Sequence, residues 1–186
     1  MVRAGDTLTN AATGQTLRFL RTAADTDGAL LEIESTWPPG ATAPPEHFHP
    51  RQAERFTVLA GALTVRVAGA QRTLRAGDTL DIPAGVPHAI WNAGDAPATA
   101  RWETRPALGT ERLFASLHAF AASGAVDARG VPPLLDLAVL VPRHWDEMRL
   151  TRPAPAVQRL VFGVLGPLAR ALGRGEPPRV PTPGAR

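Results

Sequence analysis

The chain has 186 residues with no cysteine and no tyrosine, and its net charge is only +3 at pH 7. That length suits one domain, or one domain with an appendage, and is enough to bury a real core. The missing cysteines exclude disulfides and cysteine–zinc sites, and so small a charge is no argument for a nucleic-acid partner.

The first nine residues lack a cationic region followed by an apolar core, so no signal peptide is expected and a cytoplasmic location is the default. Gly5-Asp6 and Thr13-Gly14 are turn signals that set off strands at 7–10 and 15–22. Asp25 to Gly28 is a further turn. In the strand predicted at 30–37, Leu31, Ile33 and Ser35 share one face and Glu32 and Glu34 the other. One face should therefore be buried and one wet. A proline-rich loop, 38–45, leads into a run of hairpins: strands at 56–60, 63–68, 71–75, around Leu80 and Ile82, at 88–92 and at 98–104. Gly61, Gly69, Gly77 and Gly94 punctuate them. Many short strands with regular glycine and proline breaks predict a mainly β sandwich or barrel.

After Pro106 the composition changes. Leu113, Phe114, Leu117 and Phe120 recur at helical spacing behind Thr110-Glu111, and Ser123-Gly124 ends that helix. Pro132-Pro133 opens a second helix over 134–148, with a kink or break expected at Pro142. A third is predicted over 156–172. The implied organisation is a β-barrel domain at 1–108, a helical extension at 109–173 and a Gly/Pro/Arg-rich tail at 174–186, expected to be disordered. Residues 1–109 carry ten arginines against eleven acids and residues 110–186 ten against six, so the excess charge lies in the extension. The apolar run 160–169, bracketed by Arg159 and Arg170, is too short to span a bilayer. Packing on the barrel or on a partner chain is the favoured role for it, ahead of a peripheral membrane contact.

Within the hairpins stand His47, His49, Glu54 and His88. Three imidazoles and a carboxylate suit a divalent ion of the first transition row, such as Fe, Mn, Ni, Zn, Co or Cu. His47 and His49 are spaced by two, which places both on one face only if the segment is extended, and Pro44, Pro45 and Pro50 argue against helix. Two other histidines read differently. His118 lies among apolar residues of the first helix, the ordinary setting of a satisfied histidine. His144, Trp145, Asp146 and Glu147 look chemical, but at helical spacing they face different ways.

Gly40, then His47-x-His49, Glu54 and Gly61, resembles the first motif of the cupin superfamily. Gly77, Pro83-x-Gly85, His88 and Asn92 resemble the second. The first departs by one residue, with six rather than five between Gly40 and His47, and only fifteen residues (62–76) separate the motifs. The resemblance implies a cupin-type double-sheet β-barrel, or jelly roll, across about residues 5–108, followed here by helices. It implies one metal held by His47, His49, Glu54 and His88, with Glu54 also the candidate catalytic residue. Strand parity then places Phe56, Val58 and Ile90 on the inward face beside the ion, with Gln52 on the parity of Glu54, as a substrate pocket. Trp91, on the opposite parity to His88, should point away from it. Three functions follow. The first is a metal-dependent dioxygenase of a small oxygenated or aromatic substrate, similar to flavonol-cleaving single-cupin enzymes. The others are a non-enzymatic ligand sensor or storage module, and an isomerase of sugars or keto acids. The resemblance also implies pairing into a homodimer.

Overall fold

Alternation sets the sheets. The strand Leu31–Trp37 buries Leu31, Ile33, Ser35 and Trp37 and leaves Glu32 and Glu34 half-exposed, so its inner edge packs while its outer edge stays wet. A computed structural model describes residues 2–177. The strands are β1 (Thr7–Thr9), β2 (Thr16–Arg21), β3 (Leu31–Trp37), β4 (His47–Phe48), β5 (Ala53–Ala60), β6 (Ala62–Val67), β7 (Ala70–Arg75), β8 (Thr79–Ile82), β9 (His88–Trp91), β10 (Ala98–Arg105) and β11 (Arg149–Leu150). The helices are α1 (Thr110–Ala122), α2 (Leu134–Arg143) and α3 (Pro155–Ala171).

Two antiparallel sheets form, in the orders β1-β2-β3-β10-β5-β8 and β11-β4-β9-β6-β7. Their inner faces close on Phe56, Val58, Leu63, Val65, Leu74 and Ile82, all buried. A second apolar cluster, Leu17, Phe19, Leu31 and Ile33, continues toward the helices and meets Ala107 and Phe114. This is the expected mainly β, double-sheet jelly roll followed by helices. Gly61 shows how tightly the hairpins turn. Its φ is +71°, and an added Cβ would stand 2.4 Å from the Pro97 carbonyl oxygen. Both the left-handed backbone and the close approach require glycine there.

The extension differs from its expectation in two ways. First, α2 stops at Arg143 rather than near 148. Pro142 lacks an N–H to continue the ladder, and the chain turns through 144–148. It then enters β11, which pairs with β4 in the register Arg149↔Phe48 and Leu150↔His47. The extension thus supplies the fifth strand of that sheet, beside four from the barrel. Second, residues 174–177 are held, not loose. Arg174 and the Gly175 N–H both bind the Asp136 carboxylate, and Gly175 packs so closely on Val139 that no Cβ would fit. The rest of the tail expected to be disordered, 178–186, lies outside the described residues. Helices α2 and α3 pack as a hairpin, with Phe162 against Ala138 and Val141. No helix among the described residues is long and apolar enough to cross a membrane. Trp91 is buried, with the Arg66 guanidinium over its ring at 5.4 Å.

Candidate metal centre

The two sheets deliver the donors from opposite walls. His47 on β4, His49 just after it and His88 on β9 come from the five-stranded sheet, with His47 directly opposite His88 in the ladder. Glu54 comes from β5 of the six-stranded sheet. The Gly85 N–H donates to the His49 carbonyl at 2.8 Å, which ties the proline loop before His88 to the segment carrying the other two histidines. One ring nitrogen from each of His47, His49 and His88 lies within 4.8 Å of the others, a cluster able to hold a metal ion. Glu54 joins two of the three: its Oε1 lies 3.2 Å from His49 Nε2 and its Oε2 lies 3.0 Å from His88 Nε2. Two donors, each about 2.1 Å from a shared ion and at right angles, stand about 3.0 Å apart. These separations therefore fit neighbouring ligands of one cation.

Tautomers decide what the cluster can do. Each Nδ1 faces a backbone carbonyl: His47 that of Pro45 at 3.0 Å, His49 that of Glu147 at 2.6 Å, and His88 that of Val86 at 2.9 Å. A carbonyl only accepts, so each Nδ1 carries a proton, and in the neutral ring each Nε2 is left with a lone pair for an ion. His49, Glu54 and His88 are only 5%, 3% and 2% exposed. His49 Nε2 and Glu54 Oε2 are buried without a hydrogen-bond partner. Lone pairs and a carboxylate aimed together in a dry site call for a cation.

Charge and burial pull the groups apart. Burial, and then the charges of His88 and His49, push the His47 imidazole down to about 3. Burial also opposes charge on His49, but the Glu54 carboxylate outweighs it and raises that imidazole. For Glu54, burial works against ionisation, yet His49 and His88 hold its carboxyl below the ordinary value of 4.5. His47 and Glu54 both have folded values below their unfolded ones, so unfolding takes up protons in acid. The ion-free protein should therefore lose stability as pH falls from 4.5 toward 3, where both groups act in the same direction. His49 is then protonated in both states and contributes no slope. Thermal unfolding in chelator across that window measures it, and a flat midpoint would contradict the assignment.

The expected pocket residues divide. Phe56 and Val58 share the inner face with the ligands but are core, 2% and 1% exposed, and Ile90 is barely more open at 9%. Gln52 is buried and its amide nitrogen is turned to the start of α1. Its Nε2 is within reach of the Pro106 carbonyl at 2.8 Å, the Ala107 carbonyl at 3.0 Å and Thr110 Oγ1 at 2.8 Å, so it staples the barrel to the start of α1. Asn92 holds the turn after β9 through the Trp37 and Ala96 carbonyls, as a structural residue. His118 is buried in α1 with Nδ1 on the Phe114 carbonyl. His144 and Glu147 do approach, at 3.8 Å, in the turn that follows α2; at a spacing of three they would be neighbours on a helix as well. They form no metal cluster among the described residues.

Two supports have no counterpart in the expected set. The Trp102 indole N–H donates to Glu54 Oε1 at 2.9 Å, and its ring stands between Phe56 and Phe114, 5.1 Å from each. The alternation Arg101-Trp102-Glu103 was the available signal, an apolar ring between two charges on one strand. The other support is the Glu147 carbonyl on His49, supplied by the extension. Its side chain also accepts from the Gly109 N–H at 2.9 Å, fixing the turn that presents the carbonyl. A backbone group leaves no trace in residue spacing.

A family model described as a cupin domain matches residues 33–102. Germin-like protein 3-3 of Oryza sativa subsp. japonica is 41% identical over 69 residues, covering 33% of this chain and 30% of that protein. Oxalate oxidase 1 of Hordeum vulgare is 40% identical over 68 residues, covering 32% of this chain and 33% of that protein. The match thus spans a third or less of these relatives' length. A Klebsiella pneumoniae protein with a double-stranded β-helix domain is 23% identical with a TM-score of 0.40, covering 44% of this chain and 70% of that one.

Proposed function

We propose that this chain, a member of the cupin superfamily, binds a small molecule at a divalent transition metal held by His47, His49, Glu54 and His88, and that it acts as a metal-dependent dioxygenase of a small oxygenated or aromatic substrate. The observation that carries the reading is the set of three Nδ1–carbonyl contacts, which aim three Nε2 lone pairs at one point beside the Glu54 carboxylate. A bound ion of this kind would supply Lewis acidity and access to O2 chemistry. The chain's own residues supply the rest. Pro45, Val86 and Glu147 carbonyls orient the rings, Trp102 orients the carboxylate, and the Phe56 and Val58 side chains keep water from below. Glu54 is the one carboxylate in the cluster, so a proton leaving a substrate hydroxyl has a base there. The relatives named as oxalate oxidases support an oxidative reaction on a small oxygenated substrate. An isomerase of sugars or keto acids would need charged groups to hold a phosphate or carboxylate, and Phe56, Val58 and Ile90 offer none.

The test is elemental analysis of protein purified without added metal, then oxygen uptake with iron, manganese or nickel restored and oxalate, a β-diketone or a flavonol offered. The expected result is near one ion per chain and O2 consumption with at least one substrate. An ion bound without uptake in any combination would overturn the dioxygenase. The burial of the ligands favours one second reading, a non-enzymatic sensor or storage module. A small molecule recovered with the purified protein and never turned over would select it.

A further inference from the structure

Helices α2 and α3 and the turn after α2 enclose a groove of about 330 Å³. That is small-molecule size, at the low end of the roughly 300–1,000 Å³ usual for ligand sites. None of its lining residues belongs to the metal cluster. The walls are apolar: Ala138 and Pro142 from α2, the Trp145 ring, and Phe162 and Pro167 from α3. Gly163 lines it as well. Inside a helix glycine is less favourable than alanine, so its presence needs a reason. Gly166 has one, since an added Cβ would stand 3.1 Å from the Ala138 carbonyl oxygen where α2 and α3 meet. At Gly163 an added Cβ would meet nothing within 4 Å. Packing does not demand that glycine; what its missing side chain leaves free is the groove.

The polar groups of the groove carry one sign. Arg159 and Arg170 both line it, and no hydroxyl or amide side chain does. At roughly 100° per residue these two and Gly163 fall within an arc of about 40° on α3. Helix α3 contains no acid, and neither arginine pairs with a carboxylate among the described residues. The Asp146 carboxylate, beside Trp145 in the chain, is engaged by Arg51 at 3.0 Å, and that of Glu176 by Arg143 at 2.6 Å. Arg159 stands over the Trp145 ring at 5.2 Å, and Arg149 over the same ring at 4.8 Å. Two guanidinium groups thus crowd one indole, and burial, then the charge of Arg159, holds Arg149 below its ordinary value. An anion would relieve that crowding. We infer that the groove binds a small organic carboxylate with an apolar body, its carboxylate drawn by Arg159 and Arg170 and its body lying on Trp145, Phe162 and Pro167 beside Gly163. A bare phosphate suits the groove less well, because it would leave the apolar walls wet and find no donor beyond the guanidinium groups. An uncharged apolar molecule would leave the arginines uncompensated.

The experiment is titration calorimetry of the full chain as purified, with octanoate, 1-octanol, acetate or inorganic phosphate. Octanoate should bind once per chain, 1-octanol at least about tenfold more weakly, and acetate and phosphate without saturation over the same range. Two variants locate the site. Arg159→Gln with Arg170→Gln, both at exposed positions, should weaken octanoate at least about tenfold. Gly163→Leu should abolish saturable binding by filling the groove, while its thermal midpoint stays level or rises, since leucine is the better helix former. No binding of octanoate by the wild type, equal affinity for 1-octanol, or phosphate bound as tightly as octanoate would overturn the inference. So would octanoate binding that survives in either variant unchanged, which would place the carboxylate elsewhere, the metal cluster included.

Discussion

Replacing His88 by glutamine should remove stoichiometric metal from the purified protein while leaving it folded. His88 is 2% exposed, its Nε2 lies 3.0 Å from Glu54 and its Nδ1 is held by the Val86 carbonyl. Glutamine keeps most of the volume and can present an amide to the carboxylate, so the buried charge is not stranded. What it cannot present is an imidazole lone pair fixed by a backbone acceptor. Loss of an outer hydrogen-bond partner costs about 10–100-fold in affinity, and loss of one of three nitrogen donors should exceed that. His88→Ala is the control in the other direction. It opens a cavity beside Glu54 Oε2, at a cost of about 2–5 kcal/mol, the range for truncating a large buried side chain. The alanine variant should thus lose both metal and stability, and the glutamine variant chiefly metal. Titration of chelated protein with Mn(II) or Ni(II), read beside thermal unfolding, separates the two. Wild-type affinity in His88→Gln would show that the cluster is not the binding site.

The barrel and the four donors were legible because both rest on short-range rules. Period-two alternation marked Leu31–Trp37, and glycine at Gly61 and Gly77 marked the hairpin turns. His47 and His49 needed only an extended backbone to share a face. What stayed hidden depends on contacts between distant residues. Gln52 has the parity of Glu54, and only the position of Thr110, 58 residues on, shows that its amide nitrogen is already engaged. The strand Arg149–Leu150 is two residues long, too short for any periodicity, and exists because β4 offers a free edge. The helix expected to reach Met148 ends early because Pro142 breaks the ladder. That break frees the turn whose Glu147 carbonyl reaches His49. A segment that reads as an appendage therefore completes the support of the metal cluster, and composition alone could not reveal it.

Trp102→Phe should weaken metal binding by about 10–100-fold, the range for an outer-shell partner, with little loss of fold. Phenylalanine keeps an aromatic ring between Phe56 and Phe114, where Trp102 now stands 5.1 Å from each. It removes the N–H that holds Glu54 Oε1 at 2.9 Å. That oxygen also lies 3.2 Å from His49 Nε2, so without the indole the carboxylate is free to turn toward His49 and away from His88. Lowered affinity with unchanged unfolding would distinguish orientation of the ligand from simple packing. A packing role would instead lower the midpoint and spare the affinity. Phe114→Ala supplies the complementary test from the extension, since Phe114 on α1 touches the ring and not the carboxylate. It should loosen Trp102 and weaken the ion by less than Trp102→Phe does. Fluorescence offers an independent signal, because the chain has four tryptophans and no tyrosine. Trp102 is bonded directly to a ligand, so its emission should change as the ion loads, and that change should vanish in Trp102→Phe while the other three tryptophans still report the fold. Equal metal affinity in Trp102→Phe and wild type would sever the indole from the site.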